Sequence, residues 1–140
     1  MKALKLFTFT LLTGLSVLFF SCDKDDPILT KTDLLTQKTW KLTNLKISGA
    51  EIELGDCVLD DIYSFAKPSA YTLDESTAKC DPNDSQITTG TWIFIEKETK
   101  IKILFSGLSL FDREIVELTP SALKLKFRFS NSDFEQTYSH

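Results

Sequence analysis

Leu123-Lys124-Leu125-Lys126-Phe127-Arg128-Phe129, LKLKFRF in one-letter code, alternates apolar and cationic side chains without a break. A period of two belongs to a β-strand, whose successive side chains point to opposite faces. One apolar and one charged face mark a half-buried antiparallel strand. The strand fixes the parity of its neighbours, because a one-residue slip would turn a whole apolar face to water. Upstream, IVEL (Ile115–Leu118) joins it through Pro120–Ser121, which sets Leu118 against Leu123 and Val116 against Leu125. Downstream, FEQTY (Phe134–Tyr138) joins it through Asn131–Ser132, which sets Phe129 against Phe134 and Leu125 against Tyr138.

The same reading extends outward. TWIFIE and IKILF flank Glu98–Thr99, so Trp92 faces Phe105, Phe94 faces Ile103 and Ile93 faces Leu104. DDIYSFA and AYTLDE flank Lys67-Pro68-Ser69, where Pro68 favours a turn. A hairpin centred on Pro68–Ser69 places Ala66 opposite Tyr71 and Cys57 opposite Cys80. That register turns Tyr71 away from Tyr63 and Phe65, unless the strand bulges or shifts by one residue. A further strand, Thr39–Ser48, loses its alternation near Asn44–Leu45, which predicts a bulge or bend. Before it, Thr32–Gln37 reads as a short helix capped by Thr30 or Thr32.

The sum is one short helix and eight strands joined as hairpins. An all-β, eight-stranded antiparallel up-and-down barrel removes the exposed edges that such a sheet would otherwise carry. A two-sheet sandwich is the competing arrangement, but its long crossings do not suit these short connections.

The inward face of the barrel carries Trp40, Tyr63, Phe65, Trp92, Phe94, Phe105, Phe127 and Tyr138, with Tyr71 added if its strand is shifted. Apolar lining with a few polar groups is what a small-molecule pocket needs; the same rings can equally fill a small barrel. Two polar residues share that face. Glu114 and Gln136 both fall opposite Phe127, as one layer that anchors a polar ligand group or lies at an open mouth. A bulge between Asp112 and Leu118 would instead turn Glu114 outward, which the apolar Ile115 favours. Catalytic machinery is not visible: the one histidine is His140, and no phosphate loop or metal-ligand cluster stands out. No cofactor and no metal is expected. Asp60–Asp61, Asp74–Glu75 and Asp81–Asp84 read as solvated turn residues, and their spacing matches no calcium loop.

The N-terminus supplies an address. Lys2 and Lys5 precede an almost wholly apolar run from Leu6 to Phe20, too short for a bilayer span of about 20 residues. This is the pattern of a secretory signal. It ends Leu18-Phe19-Phe20-Ser21-Cys22, which resembles the lipobox of bacterial lipoproteins. Residues 1–21 are then the signal peptide, Cys22 is the lipidated first residue, 22–30 the tether, and 31–140 the folded domain. Acyl chains on Cys22 anchor the protein to the membrane, and the expected site is the outer membrane of a Gram-negative bacterium. Asp23-Lys24-Asp25-Asp26 reads equally well as a solvated tether or as a surface-export signal. Losing the two signal lysines takes the chain from 16 to 14 cations against 20 acids, a net charge of −6. Such a charge argues against nucleic acid and against direct binding to anionic headgroups. Cys57 and Cys80 remain, and an even count in an exported protein suggests a disulfide.

LLTQKTWKLTNLKISG, CVLDDIYSFAKPSAYTLDESTAKCDPND, GTWIFI and IVELTPSALKLKF together resemble the lipocalin-like domain of small bacterial lipoproteins. The resemblance covers nearly all of the mature chain. It implies an eight-stranded barrel with a disulfide near one end, and no defined activity. Larger lipocalins carry a G-x-W motif whose Trp packs under a late-strand Arg. Here Lys38 stands where that motif has Gly, and alternation puts the candidate Arg128 outside. The function expected is binding of a small apolar or amphipathic ligand, without enzymatic activity. The alternative is a structural or accessory subunit of a cell-surface assembly, reached through an outward patch of Ile93, Leu104 and Ile95. Cys22→Ser is expected to move the protein out of the membrane fraction. Cell fractionation that leaves the variant with membranes overturns the lipoprotein assignment.

Overall fold

The computed structural model describes residues 28–109 and 111–140. The signal segment, Cys22 and the tether up to residue 27 lie outside the described residues.

Thr30 starts the first helix, α1 (Lys31–Thr36), through a capping box: its hydroxyl accepts from the Asp33 N–H, and the Asp33 carboxylate accepts from the Thr30 N–H. Lys67 pairs with Asp33 at 2.6 Å, and the Lys31 ammonium donates to the Glu98 carbonyl at 2.6 Å. These contacts pull α1 over one end of the sheet. Leu35 and Trp40 are fully buried there, and the Trp40 indole N–H donates to the Leu35 carbonyl at 3.0 Å. The Trp40 ring also lies 4.2 Å from the His140 ring. His140 thus takes the position beside the basal Trp, while Arg128 stays outside and pairs with Asp133 at 3.7 Å.

Nine strands follow: β1 (Lys41–Ile47), β2 (Ala50–Ile52), β3 (Ile62–Ala66), β4 (Ala70–Asp74), β5 (Ile87–Ile95), β6 (Lys100–Leu104), β7 (Asp112–Leu118), β8 (Ala122–Phe129) and β9 (Ser132–Ser139). A four-residue helix, α2 (Asp56–Leu59), sits between β2 and β3. All pairings are antiparallel, in the order β2-β1-β9-β8-β7-β6-β5-β4-β3. The expected eight-stranded closed barrel is corrected on two points. β2 is a ninth strand, formed where Ser48 and Gly49 turn the chain back with left-handed φ of 51° and 85°. The ladders also do not close. Among the described residues the two edges meet only at Trp40 and Tyr63, which exchange two backbone hydrogen bonds of 2.8 Å. The predicted irregularity in β1 explains this: a bulge falls between Leu42 and Asn44, and a bulge bends its strand. Beyond it, β1 pairs with β2 instead of β3.

Parity is as expected in most hairpins, while registers differ. β3 and β4 are shifted by one, so Phe65 faces Tyr71 and Tyr71 turns inward. That shift takes the cysteines off the ladder. Cys57 lies in α2 and Cys80 in the loop after β4, and they are bonded with Cα atoms 5.1 Å apart. Closing a loop of this length is worth about 3 kcal/mol in the chain-entropy picture. β5 and β6 slide by two residues, because Glu96, Lys97 and Glu98 all take left-handed φ (50°, 56° and 61°) and lengthen the turn. Trp92 therefore faces Ile103, Phe94 faces Ile101, and Ile93 faces Lys102. β8 and β9 also slide by two. Their turn is Ser130–Asn131, with φ of 47° and 65°, the two-residue kind that suits twisted hairpins. Phe127 now faces Phe134, and Leu123 faces Tyr138.

β2, β3, β5, β7 and β9 run toward the α1 end, and β1, β4, β6 and β8 run away from it. The tightest packing is at the α1 end, among Leu35, Trp40, Leu42, Trp92, Ile101 and Leu123. Gly90 has no room for a side chain: a Cβ would collide with the Leu104 carbonyl oxygen. Its bareness lets Phe105 reach the Tyr71 ring at 5.5 Å. Truncating Trp40 removes the largest fully buried side chain. Trp40→Ala is expected to cost about 3–5 kcal/mol, and Trp40→Phe less, through loss of the bond to Leu35. Urea denaturation measures both, and an unchanged midpoint for Trp40→Ala would contradict the sealing role.

Candidate binding site inside the curled sheet

Burial falls steadily along the inward face of β8. Leu123 and Leu125 are each 1% exposed, Phe127 is half-buried, and Phe129 is 51% exposed. β9 repeats the gradient from buried Tyr138 through half-buried Gln136 and Phe134. The α1 end is sealed, and solvent reaches the interior from the other end.

The expected ligand-binding residues divide along this gradient. Trp40, Phe65, Tyr71, Trp92 and Tyr138 belong to the buried core, with Tyr63, Phe94 and Phe105 packed against it. Phe127 and Gln136 lie nearer the open end. Gln136 is inward but faces Leu125 and Leu45, where the expected partner was Phe127. Glu114 is a correction. A bulge between Ile115 and Glu117 shifts β7 by one residue against β8, so Ile115 takes the inward place opposite Leu125. Val116 is left 45% exposed, and Glu114 stands on the outer wall between Lys126 and Lys100.

The same bulge turns Arg113 inward. Its guanidinium lies 4.6 Å from the centre of the Phe111 ring and 5.5 Å from that of Phe127. Those rings belong to a parallel stack: Phe111 to Phe127 is 4.2 Å and Phe127 to Phe134 is 5.0 Å, each with 6° between planes. A cation over such faces is held by the ring quadrupole. Burial lowers the Arg113 pKa, but an arginine stays charged. Three phenols share the interior, Tyr63 and Tyr138 meeting edge-on at 5.2 Å. Burial raises all three; Tyr71 reaches about 12, with Arg113 acting against the rise. They are therefore protonated donors at neutral pH.

Asp61 faces this space from the opposite wall and is 8% exposed. Burial, then the charges of Glu75 and Asp60, push its carboxyl up to about 6. Its one hydrogen bond is a long one from the Tyr63 hydroxyl, 3.5 Å. Asp60 Oδ1, Asp61 Oδ1, Glu75 Oε2 and Gln136 Oε1 are buried and accept no hydrogen bond from the described residues. Asp61 and Arg113 act on the Tyr63 and Tyr71 hydroxyls with opposite sign. Asp60 points elsewhere: its Oδ2 accepts from the Thr77 and Ala78 N–H groups and the Thr77 hydroxyl, fastening the loop after β4.

The expectation that Asp61 and Glu75 are solvated turn residues is thus corrected. Asp61 alternates in step with Tyr63 and Phe65, and Glu75 with Tyr71 and Leu73; that period was the available signal. Arg113 carried no such signal, because the bulge that redirects it is one residue long.

A groove of about 390 Å³ is lined by the outward Lys46, Glu114, Lys126, Arg128, Asp133 and Glu135, together with Gly49 and with Phe127 and Phe134 of the inward face. Its charges neutralise one another. Glu51, Lys46, Glu135, Lys126, Glu114 and Lys100 form one cross-strand row of alternating sign, with Lys126–Glu135 at 3.0 Å. The groove is a charge-paired surface, and the chemistry lies inside. The expected outer patch is also corrected: Ile93 lies opposite Lys102, and Leu104 opposite Thr91. Among the described residues no group of three or more His, Cys, Asp or Glu could hold a metal ion.

A family model for the lipocalin-like domain matches residues 36–125, from the last residue of α1 into β8. Comparison with curated proteins and with solved structures gives no match.

The Asp61 carboxyl generates a pH prediction. Its pKa rises on folding from 3.8 to about 6, so the folded chain binds the proton more readily than the unfolded one. The stability linked to this group is present at low pH and is lost as pH rises through that window. Asp61→Asn is expected to raise the thermal midpoint at about pH 7.5, with the gain vanishing near pH 4. A gain independent of pH would contradict a buried, titrating Asp61.

Proposed function

Given that the chain belongs to the lipocalin-like domain family, we propose that it is a non-enzymatic binding protein that takes a small apolar or amphipathic molecule into the open end of its curled sheet. In this reading a lipid on Cys22 holds it at the outer membrane of a Gram-negative bacterium. The observation that carries the binding reading is the gradient from sealed core to half-buried aromatic wall. Phe111, Phe127 and Phe134 present apolar faces where solvent enters, and Arg113, Gln136 and three phenols lie among and beneath them. An apolar lining with a few convergent polar groups is the ordinary constitution of a ligand site. The pocket is shallower than a fully hollow interior, because Trp40, Phe65 and Trp92 fill the α1 end.

The chemistry also favours binding over catalysis. His140 lies against Trp40, with its ring nitrogens 2.7 Å from the Thr39 and Pro120 carbonyl oxygens. Both ring nitrogens are thus engaged by backbone carbonyls, which leaves His140 poorly placed to act as a general base. The alternative, an accessory subunit of a surface assembly, rests on the outer wall, where exposed Ile93 is flanked by Lys102.

Purified protein incubated with bacterial lipid extract, washed and analysed by mass spectrometry is expected to retain an apolar or amphipathic molecule. It is also expected to enhance the fluorescence of N-phenyl-1-naphthylamine, a neutral apolar probe. Retention of nothing, together with no enhancement, overturns the binding reading.

A further inference from the structure

Resting on that reading and narrowing it, we propose that the ligand is an amphipath with one anionic head, a carboxylate or a phosphate, which Arg113 receives while the apolar chain lies along the Phe111–Phe127–Phe134 stack.

The cations of the six ion pairs among the described residues are Lys46, Lys67, Lys100, Lys102, Lys126 and Arg128. Arg113 is in none of them. It is turned into the interior by the β7 bulge, and its recorded contacts there are two aromatic faces. Ring faces attract a guanidinium but do not accept its fork of N–H groups. Arg113 is half-buried; a partly desolvated cation with no counter-charge among the described residues favours an oxyanion, whose two acceptor atoms meet the fork bidentately. Tyr63, Tyr71 and Tyr138 lie near enough to act electrostatically on Arg113, and their phenols are neutral donors.

Asp61 and Glu75 are the interior carboxyls that could have neutralised Arg113 within the chain, and neither pairs with it among the described residues. Asp61 accepts from the Tyr63 hydroxyl instead. Carboxyls on that side repel a second anionic group on the ligand, which selects for a single head held on the Arg113 side. The chain of such a molecule then finds its surface toward the solvent-reached end, where Phe111, Phe127 and Phe134 stack in parallel and Phe129 is 51% exposed.

The test is displacement of N-phenyl-1-naphthylamine from the purified protein by hexadecanoic acid, hexadecyl phosphate and hexadecan-1-ol, which share one chain and differ in head. The acid or the phosphate is expected to displace the probe at about tenfold lower concentration than the alcohol, as a charged hydrogen-bonded head requires. Whichever anion is stronger identifies the head. Arg113→Met is expected to erase that difference while leaving displacement by the alcohol unchanged, and Arg113→Lys to restore part of it. If wild type binds the probe but ranks the three equally, the anionic head is wrong and the binding reading stands. If wild type does not bind the probe, the head of the molecule retained from lipid extract decides instead, and if nothing is retained both fall. A folded Arg113→Met that keeps the preference removes Arg113 from the role. The wild-type ranking decides the head chemistry even where Arg113→Met does not fold.

Discussion

Two hydrogen bonds between Trp40 and Tyr63 hold the edges of this sheet together, and the rest of the architecture follows from them. They fix where the seam closes, next to the end that α1 covers. Trp40 does this with its backbone while its indole bonds to Leu35 and its ring meets His140. One residue therefore joins the helix, the first strand, the third strand and the C-terminal segment. Past the seam's single bridge the edges separate, and the interior changes from packed hydrocarbon to half-wet aromatics and charge. A sealed base and an accessible top are two outcomes of one closure point.

Two bulges of one residue each shape what that closure leaves. The bulge in β1 bends the strand away from β3 and opens the seam. The bulge in β7 exchanges the faces of the residues before it, so Glu114 leaves the interior and Arg113 enters. The electrostatic sign of that wall is thus set by backbone geometry rather than by composition, since acid and base are adjacent in the chain. The expelled Glu114 joins the charge row on the outside. The admitted Arg113 gains aromatic neighbours and no anion among the described residues.

Much of this was legible in the sequence. The alternation of Leu123–Phe129 fixed the inward face of β8, and hairpin logic carried that face to Trp92, Phe94, Phe127 and Tyr138. Slides of two residues at Glu96–Glu98 and at Ser130–Asn131 left parity intact, so the wrong partners still gave the right face. Exact registers were hidden because they depend on which residues take left-handed φ, and neither turn contains a glycine. A slip of one residue is more serious. At Lys67–Ser69 it decided the side of Tyr71, and at Val116 it decided the sign of the interior charge. Asp61 and Glu75 were within reach of the period-two rule, but their position beside turns made solvation the simpler reading.

The ladder that stops short of closing also leaves strand edges, and bare edges invite foreign strands. Here the outermost strand on one side, Ala50–Ile52, is three residues long and exposed along its length, with Glu51 at its centre. A partner chain would find few backbone groups in sequence to zip against, beside a fixed negative charge. Near the other edge, α2 leads directly into β3 and is tied by its disulfide to the loop after β4. An incoming strand at the seam would meet a cross-linked flank on one side and a stub on the other. An open seam flanked in this way offers a second copy little to extend, so incomplete closure need not template a fibre.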